Sequence, residues 1–83
     1  MRKLLIAANW KMYKTPAEAE SFLRVFLPLV KDWTRSEILI CPPAVDLAFA
    51  VEAVQGSQVH VGAQNMHFAE EGAYTGEISA SML

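Results

Sequence analysis

A chain of 83 residues that is 53% hydrophobic and 19% charged is built to pack, yet a domain of this length buries only about 60% of its unfolded surface. The formal net charge of -2 offers no broad positive field, so neither nucleic acid nor an anionic membrane is expected as a partner. A single cysteine, Cys41, excludes an internal disulfide framework, no Cys/His spacing fits a structural zinc, and no apolar run approaches the roughly 18 residues of a membrane span; a reducing, cytoplasmic setting is expected.

Lys3 to Ala8 is a short apolar run closed by Asn9, the pattern of a strand buried on both faces of a parallel sheet. The run is too short for a secretory leader, despite Arg2 and Lys3 before it. Thr15-Pro16-Ala17-Glu18 supplies an N-cap, a proline at the first helical position and the glutamate of a capping box, so a helix starts there. Ala19, Phe22, Val25, Phe26, Leu29, Val30 and Trp33 recur at helical spacing as one broad apolar face, and Pro28 should kink the helix or tighten its last turns.

Glu37 to Cys41 reads as a second buried strand, stopped by Pro42-Pro43. A second helix follows from about Val45 to Val54, on Leu47, Ala48, Val51 and Val54, with Gly56 placed to end it in a left-handed conformation. Val59 to Ala63 reads as a third strand. Gln64 to Glu77 has neither period and forms a long connection, of a length that is usually functional when ordered. Ile78 to Leu83 reads as the opening of a third helix with Ser79 as a candidate cap. The alternation predicts an α/β fold of parallel βα units, here about three strands and two helices plus the start of a third.

In such folds ligands bind beyond the carboxyl ends of the strands. Asn9 and Lys11 follow the first strand there, and Gln64 and Asn65 the third. A lysine held at a strand end suits an anionic substrate or a developing oxyanion; its alternative is a solvated charge. Asn9, Gln64 and Asn65 either orient a substrate or satisfy loop carbonyls, and for neutral amides the second is the commoner role. His60, within a strand, reads as a packing residue, His67 as solvent-facing, and Cys41 as a small buried hydrophobe. Glu70, Glu71 and Glu77 read as a solvated loop surface.

Four motifs go beyond class: Asn9-Trp10-Lys11-Met12, Cys41-Pro42-Pro43, Gly62-Ala63-Gln64-Asn65, and Gly72 through Ser79. In this order and spacing the chain resembles the triosephosphate isomerases, over essentially all 83 residues and about the N-terminal third of a family chain. The resemblance implies a (β/α)8 barrel of about 250 residues that forms a homodimer. It also implies interconversion of dihydroxyacetone phosphate and glyceraldehyde 3-phosphate in glycolysis and gluconeogenesis, without cofactor or metal. It carries a substrate-binding role onto Asn9 and Lys11, with Lys11 the electrostatic partner of substrate charge. It carries a dimer interface onto Gln64, Asn65, Tyr74, Thr75, Gly76 and Glu77, with Thr75 reaching the partner's Asn9 and Lys11 region. The family's catalytic glutamate and histidine belong to later strands, so these 83 residues alone are expected to be inactive. They are also expected to self-associate through free strand edges and a patch of Phe22, Phe26, Trp33 and Leu47. The rival expectation is a self-associating barrel module that performs no chemistry.

Overall fold

The computed structural model describes residues 2–83. Strand β1 (Leu4–Asn9) leads to helix α1 (Pro16–Leu29), strand β2 (Ser36–Cys41), a 3-10 turn (Ala44–Asp46), helix α2 (Leu47–Ala53) and strand β3 (Val59–Val61). The strands form one sheet in the order β1-β2-β3. Both pairings are parallel, with Leu4 opposite Ser36, Asn9 opposite Cys41, and Ile38 to Ile40 opposite Val59 to Val61. The parallel α/β architecture read from the sequence is the one observed.

Residues directly opposite in a sheet share a face, and successive residues alternate. Ser36, Ile38, Ile40 and Val59 therefore share one face, and all are buried. Leu23 of α1, Ala50 of α2 and Val54 close over it, so the core is a single layer between two helices and one side of the sheet. The opposite face carries Leu5, Ala7, Asn9, Glu37, Leu39, Cys41 and His60, and among the described residues no helix covers it.

That one-sided packing corrects two expectations. β1 is exposed along its whole length, with Leu4 at 72% and Leu5 and Ile6 at 55%, because among the described residues it is an edge strand paired with β2 alone and neither of its faces is covered. His60 lies on the open face and is exposed, 3.9 Å from Glu37 Oε1, so it is not a packing residue.

The capping box of α1 forms as its residues require. The Thr15 hydroxyl accepts from the Glu18 N–H at 3.3 Å, and the Glu18 carboxylate accepts from the Thr15 N–H at 2.9 Å. The Thr15 N–H foremost, and then the Thr15 hydroxyl beside the carboxylate, lower the Glu18 pKa. The helix ends one residue after Pro28, where the Val30 and Lys31 N–H groups donate to carbonyls three residues back. Its rotation differs from the expected face. Ala19 and Leu23 are buried, while Val25 and Leu29 point to solvent. Phe22, Phe26 and Val30 pack partly on the core, so of the predicted patch of Phe22, Phe26, Trp33 and Leu47 only Trp33 stays exposed, and β1, Val25 and Leu29 add exposed apolar surface that was not expected.

The second helix starts as a 3-10 turn and ends near Gly56, whose φ of +78° is the expected left-handed stop. β3 is shorter than expected, although the Gly62 N–H still donates to the Ile40 carbonyl. Ile78 to Leu83 does not open a helix: Ser79 pairs with His67 in an isolated bridge, and a lone bond from the Leu83 N–H to the Ala80 carbonyl makes a turn. One such bond does not offset the cost of a helical nucleus.

Candidate active site

Asn9 and Cys41 end their strands side by side. The Trp10 N–H extends the pairing by donating to the Cys41 carbonyl at 3.1 Å, and the Trp10 ring meets Phe22 edge-on at 5.4 Å. With Trp10 anchored to α1, the chain reverses at Lys11, which takes a left-handed φ of 55°. That conformation costs a non-glycine residue roughly 1–2 kcal/mol. It is held from both sides. The Lys11 N–H donates to Asn9 Oδ1 at 2.8 Å, and Gln64 Nε2 donates to the Lys11 carbonyl at 2.9 Å and to the Cys41 carbonyl at 2.7 Å. Gln64 thus fastens the loop after β1 to the end of β2, and of its two sequence readings these bonds are those of the carbonyl-satisfying one. The Lys11 side chain is exposed at the carboxyl end of the sheet. Met12 and Tyr13 beyond it are also exposed, and a second left-handed residue, Lys14 at φ 82°, leads into the helix cap.

The long connection folds separately. Asn65 Nδ2 donates to Glu77 Oε1 at 3.0 Å, and the Glu77 N–H donates to the Tyr74 carbonyl, closing the tip over Thr75 and Gly76, the latter at φ 86°. The His67 ring lies between Phe68 (4.5 Å) and Tyr74 (4.2 Å), and its Nε2 is buried without a partner, so His67 is a ring packed into the loop and not a solvent-facing residue. The structure brings Asn9, Lys11 and Gln64 together, and Asn65, Tyr74 and Glu77 together. Among the described residues no hydrogen bond joins the Thr75 tip to Asn9 or Lys11.

The arrangement presents a cation on a rigid backbone, which suits an anionic ligand. The carboxylate on the open sheet face, Glu37, lies four residues before Cys41, about 13 Å toward the other end at ~3.3 Å per residue. Among the described residues no group of three or more His, Cys, Asp or Glu side chains is gathered to hold a metal. A groove of about 770 Å³ lies between Leu27, Val30, Ala53 and Gly56, at the helix C-termini and hence the strands' amino ends, the wrong end for a ligand of this fold. No helix among the described residues is long and apolar enough to cross a membrane.

Sequence reasoning gave Gln64 the commoner role of satisfying loop carbonyls but did not identify which carbonyls it clamps. The signal available was an amide just past a strand end, but its acceptors, 53 and 23 residues away, are fixed only by the sheet order. It also passed over Asp46, buried at 0% exposure with neither carboxylate oxygen bonded.

The sequence model of the family described as triosephosphate isomerase matches residues 4–83. The triosephosphate isomerase of Solibacter usitatus (strain Ellin6076) is 57% identical over 83 residues, covering all of this chain and 33% of that protein. That of Trichormus variabilis is 54% identical over 84 residues, again covering the whole chain and 35% of the relative. The crystal structure of triosephosphate isomerase from Bartonella henselae superposes with a TM-score of 0.86 at 40% identity, over 98% of this chain and 33% of that one. The chain spans about a third of the length of the relatives it matches.

Proposed function

Because the chain belongs to the triosephosphate isomerase family, we propose that it supplies the first three strands and the Lys11 loop of a cofactor-free isomerase acting on dihydroxyacetone phosphate and glyceraldehyde 3-phosphate. The observation that carries this reading is the left-handed Lys11, its N–H bound by Asn9 and its carbonyl by Gln64, at the carboxyl end of β1. A cation fixed there stabilises the substrate's phosphate charge and the negative oxygen that develops as the enediolate forms. Asn9 places it, and the loop tip around Thr75 completes the same region in a partner subunit. The setting is central carbon metabolism in the cytoplasm.

Abstraction of a carbon-bound proton needs a base within about 3 Å of it. Glu37 is far from Lys11 along the strand, and Glu77 is tied to Asn65. In this reading the 83 residues alone do not turn over substrate, and the base is a group outside them in a family-length protein. The non-catalytic module gains nothing from the comparisons, since each relative named above is an isomerase.

The test is a chimera in which these 83 residues replace the matched segment of the Solibacter usitatus enzyme. Lys11→Met in it should lower kcat/KM about 100-fold or more, the scale of a lost electrostatic stabiliser. Lys11→Arg should also fail, because a planar fork does not replace a compact ammonium. Near-normal turnover by a folded Lys11→Met chimera would remove the assignment.

A further inference from the structure

The 3-10 turn after β2 packs against α1, and Asp46, its last residue, is enclosed at 0% exposure. Its N–H is satisfied by the Pro43 carbonyl at 2.9 Å, but Oδ1 and Oδ2 accept no hydrogen bond, and Asp46 makes no ion pair among the described residues. A carboxylate in that position is a buried charge with no compensation, an arrangement that favours the protonated form over the charged one. We propose that Asp46 makes the seam between α1 and the 3-10 turn an acid-tightened joint, closed as observed while the carboxyl carries its proton and opened to water when that proton leaves to solvent.

The surroundings point the same way. Burial raises the Asp46 pKa from its ordinary value of 3.8, and the negative charge of Glu18 on α1 raises it further. The cation near Glu18 is Lys14, on the loop before α1; it acts on Glu18 and lies 5.9 Å from the Phe22 ring centroid. On the 3-10 turn itself Asp46 is the sole ionisable residue, and neither α2's Glu52 nor β2's Glu37 adds to its shift. A group with a raised folded-state pKa contributes stability that is fully present below the unfolded value, here 3.8, and lost as pH rises through the folded value. This is the reverse of the usual paired carboxylate. Both partners of the seam leave the sheet at the end that carries Lys11: the 3-10 turn begins three residues after Cys41, and Thr15 caps α1 four residues after Lys11.

The experiment measures denaturation midpoints from pH 3 to 8, at one fixed concentration, for the 83-residue chain and for the chimera described above. Asp46→Asn should match the parent near pH 3 and exceed it at pH 7, and Asp46→Leu, with no polar group to satisfy, should do the same. Glu18→Gln keeps a capping-box side chain but removes the charge. In that variant the Asp46 carboxyl, followed by carbon NMR, should titrate at a lower pH than in the parent, whose midpoint should lie above 3.8. Amide protection of Glu18 and Asp46 should fall in the parent as the carboxyl ionises and persist in Asp46→Asn. A midpoint at or below 3.8, or parent stability at pH 7 equal to or greater than that of both Asp46 variants, overturns the proposal.

Discussion

Gln64→Met keeps the length and volume of the side chain and removes both donors of the clamp on Lys11. Each lost bond, to the Lys11 carbonyl at 2.9 Å and to the Cys41 carbonyl at 2.7 Å, has a net worth of about 0.5–1 kcal/mol at an exposed site. Together they amount to about 1–2 kcal/mol, comparable with the roughly 1–2 kcal/mol cost of the left-handed Lys11 backbone. Without them the single bond from the Lys11 N–H to Asn9 Oδ1 holds that conformation, and Lys11 redistributes toward negative φ. In the chimera this should lower kcat/KM by about 5- to 30-fold, with the loss in kcat as well as KM, because a misplaced ammonium stabilises the developing oxyanion less than a fixed one. The assay is steady-state isomerisation together with a crystal structure of the variant. Full activity in a variant whose Lys11 φ stays positive would refute the idea that Gln64 holds the lysine.

Thr15→Ala should destabilise the chain by about 1 kcal/mol at neutral pH, read as a fall of about 4–8 °C in melting temperature. The Glu18 side of the same box, its pKa lowered from 4.5, contributes stability above that value and loses it as pH falls, so the difference between parent and variant should shrink in acid melts. Deleting residues 72 to 77 from the chimera should yield a monomer with impaired turnover, and a fully active dimer would remove the interface from this loop. The 83-residue chain should self-associate through β1, where Leu4, Leu5 and Ile6 are exposed, and through the open sheet face. Sedimentation and melting over a wide concentration range check this, and a monomer with a concentration-independent melting temperature would contradict it.

Local signals carried most of the fold. Thr15, Pro16 and Glu18 announce the start of α1 because a capping box is satisfied by neighbours in sequence, and Gly56 marks the end of α2 because its φ of +78° suits glycine. What local pattern does not fix is which side of an element meets its neighbour. α1 is apolar nearly all round between Phe22 and Leu29, so periodicity alone does not choose its rotation; contact with Ile38 and Ile40 selects Leu23 over Val25. β1 has the composition of a strand buried on both faces, yet burial depends on partners, and the described residues cover neither side of it. In the site, the placement of Asn9 and Lys11 just past a strand end was legible, and only Trp10 separates the amide from the N–H it accepts. The carbonyl-satisfying role of Gln64 was readable but its partners were not, because the clamp spans 53 residues and exists only once the three strands are aligned. His67 misled for the same reason, since its ring partner Tyr74 lies across the loop.

The most direct measurement is kcat/KM for triose phosphate interconversion by the chimera beside the 83-residue chain alone. The account predicts a chimera within about tenfold of the Solibacter usitatus parent, a difference of about 1.4 kcal/mol in transition-state stabilisation, and no turnover above background by the chain alone. A folded chimera without isomerase activity, or turnover by the 83 residues on their own, would contradict it.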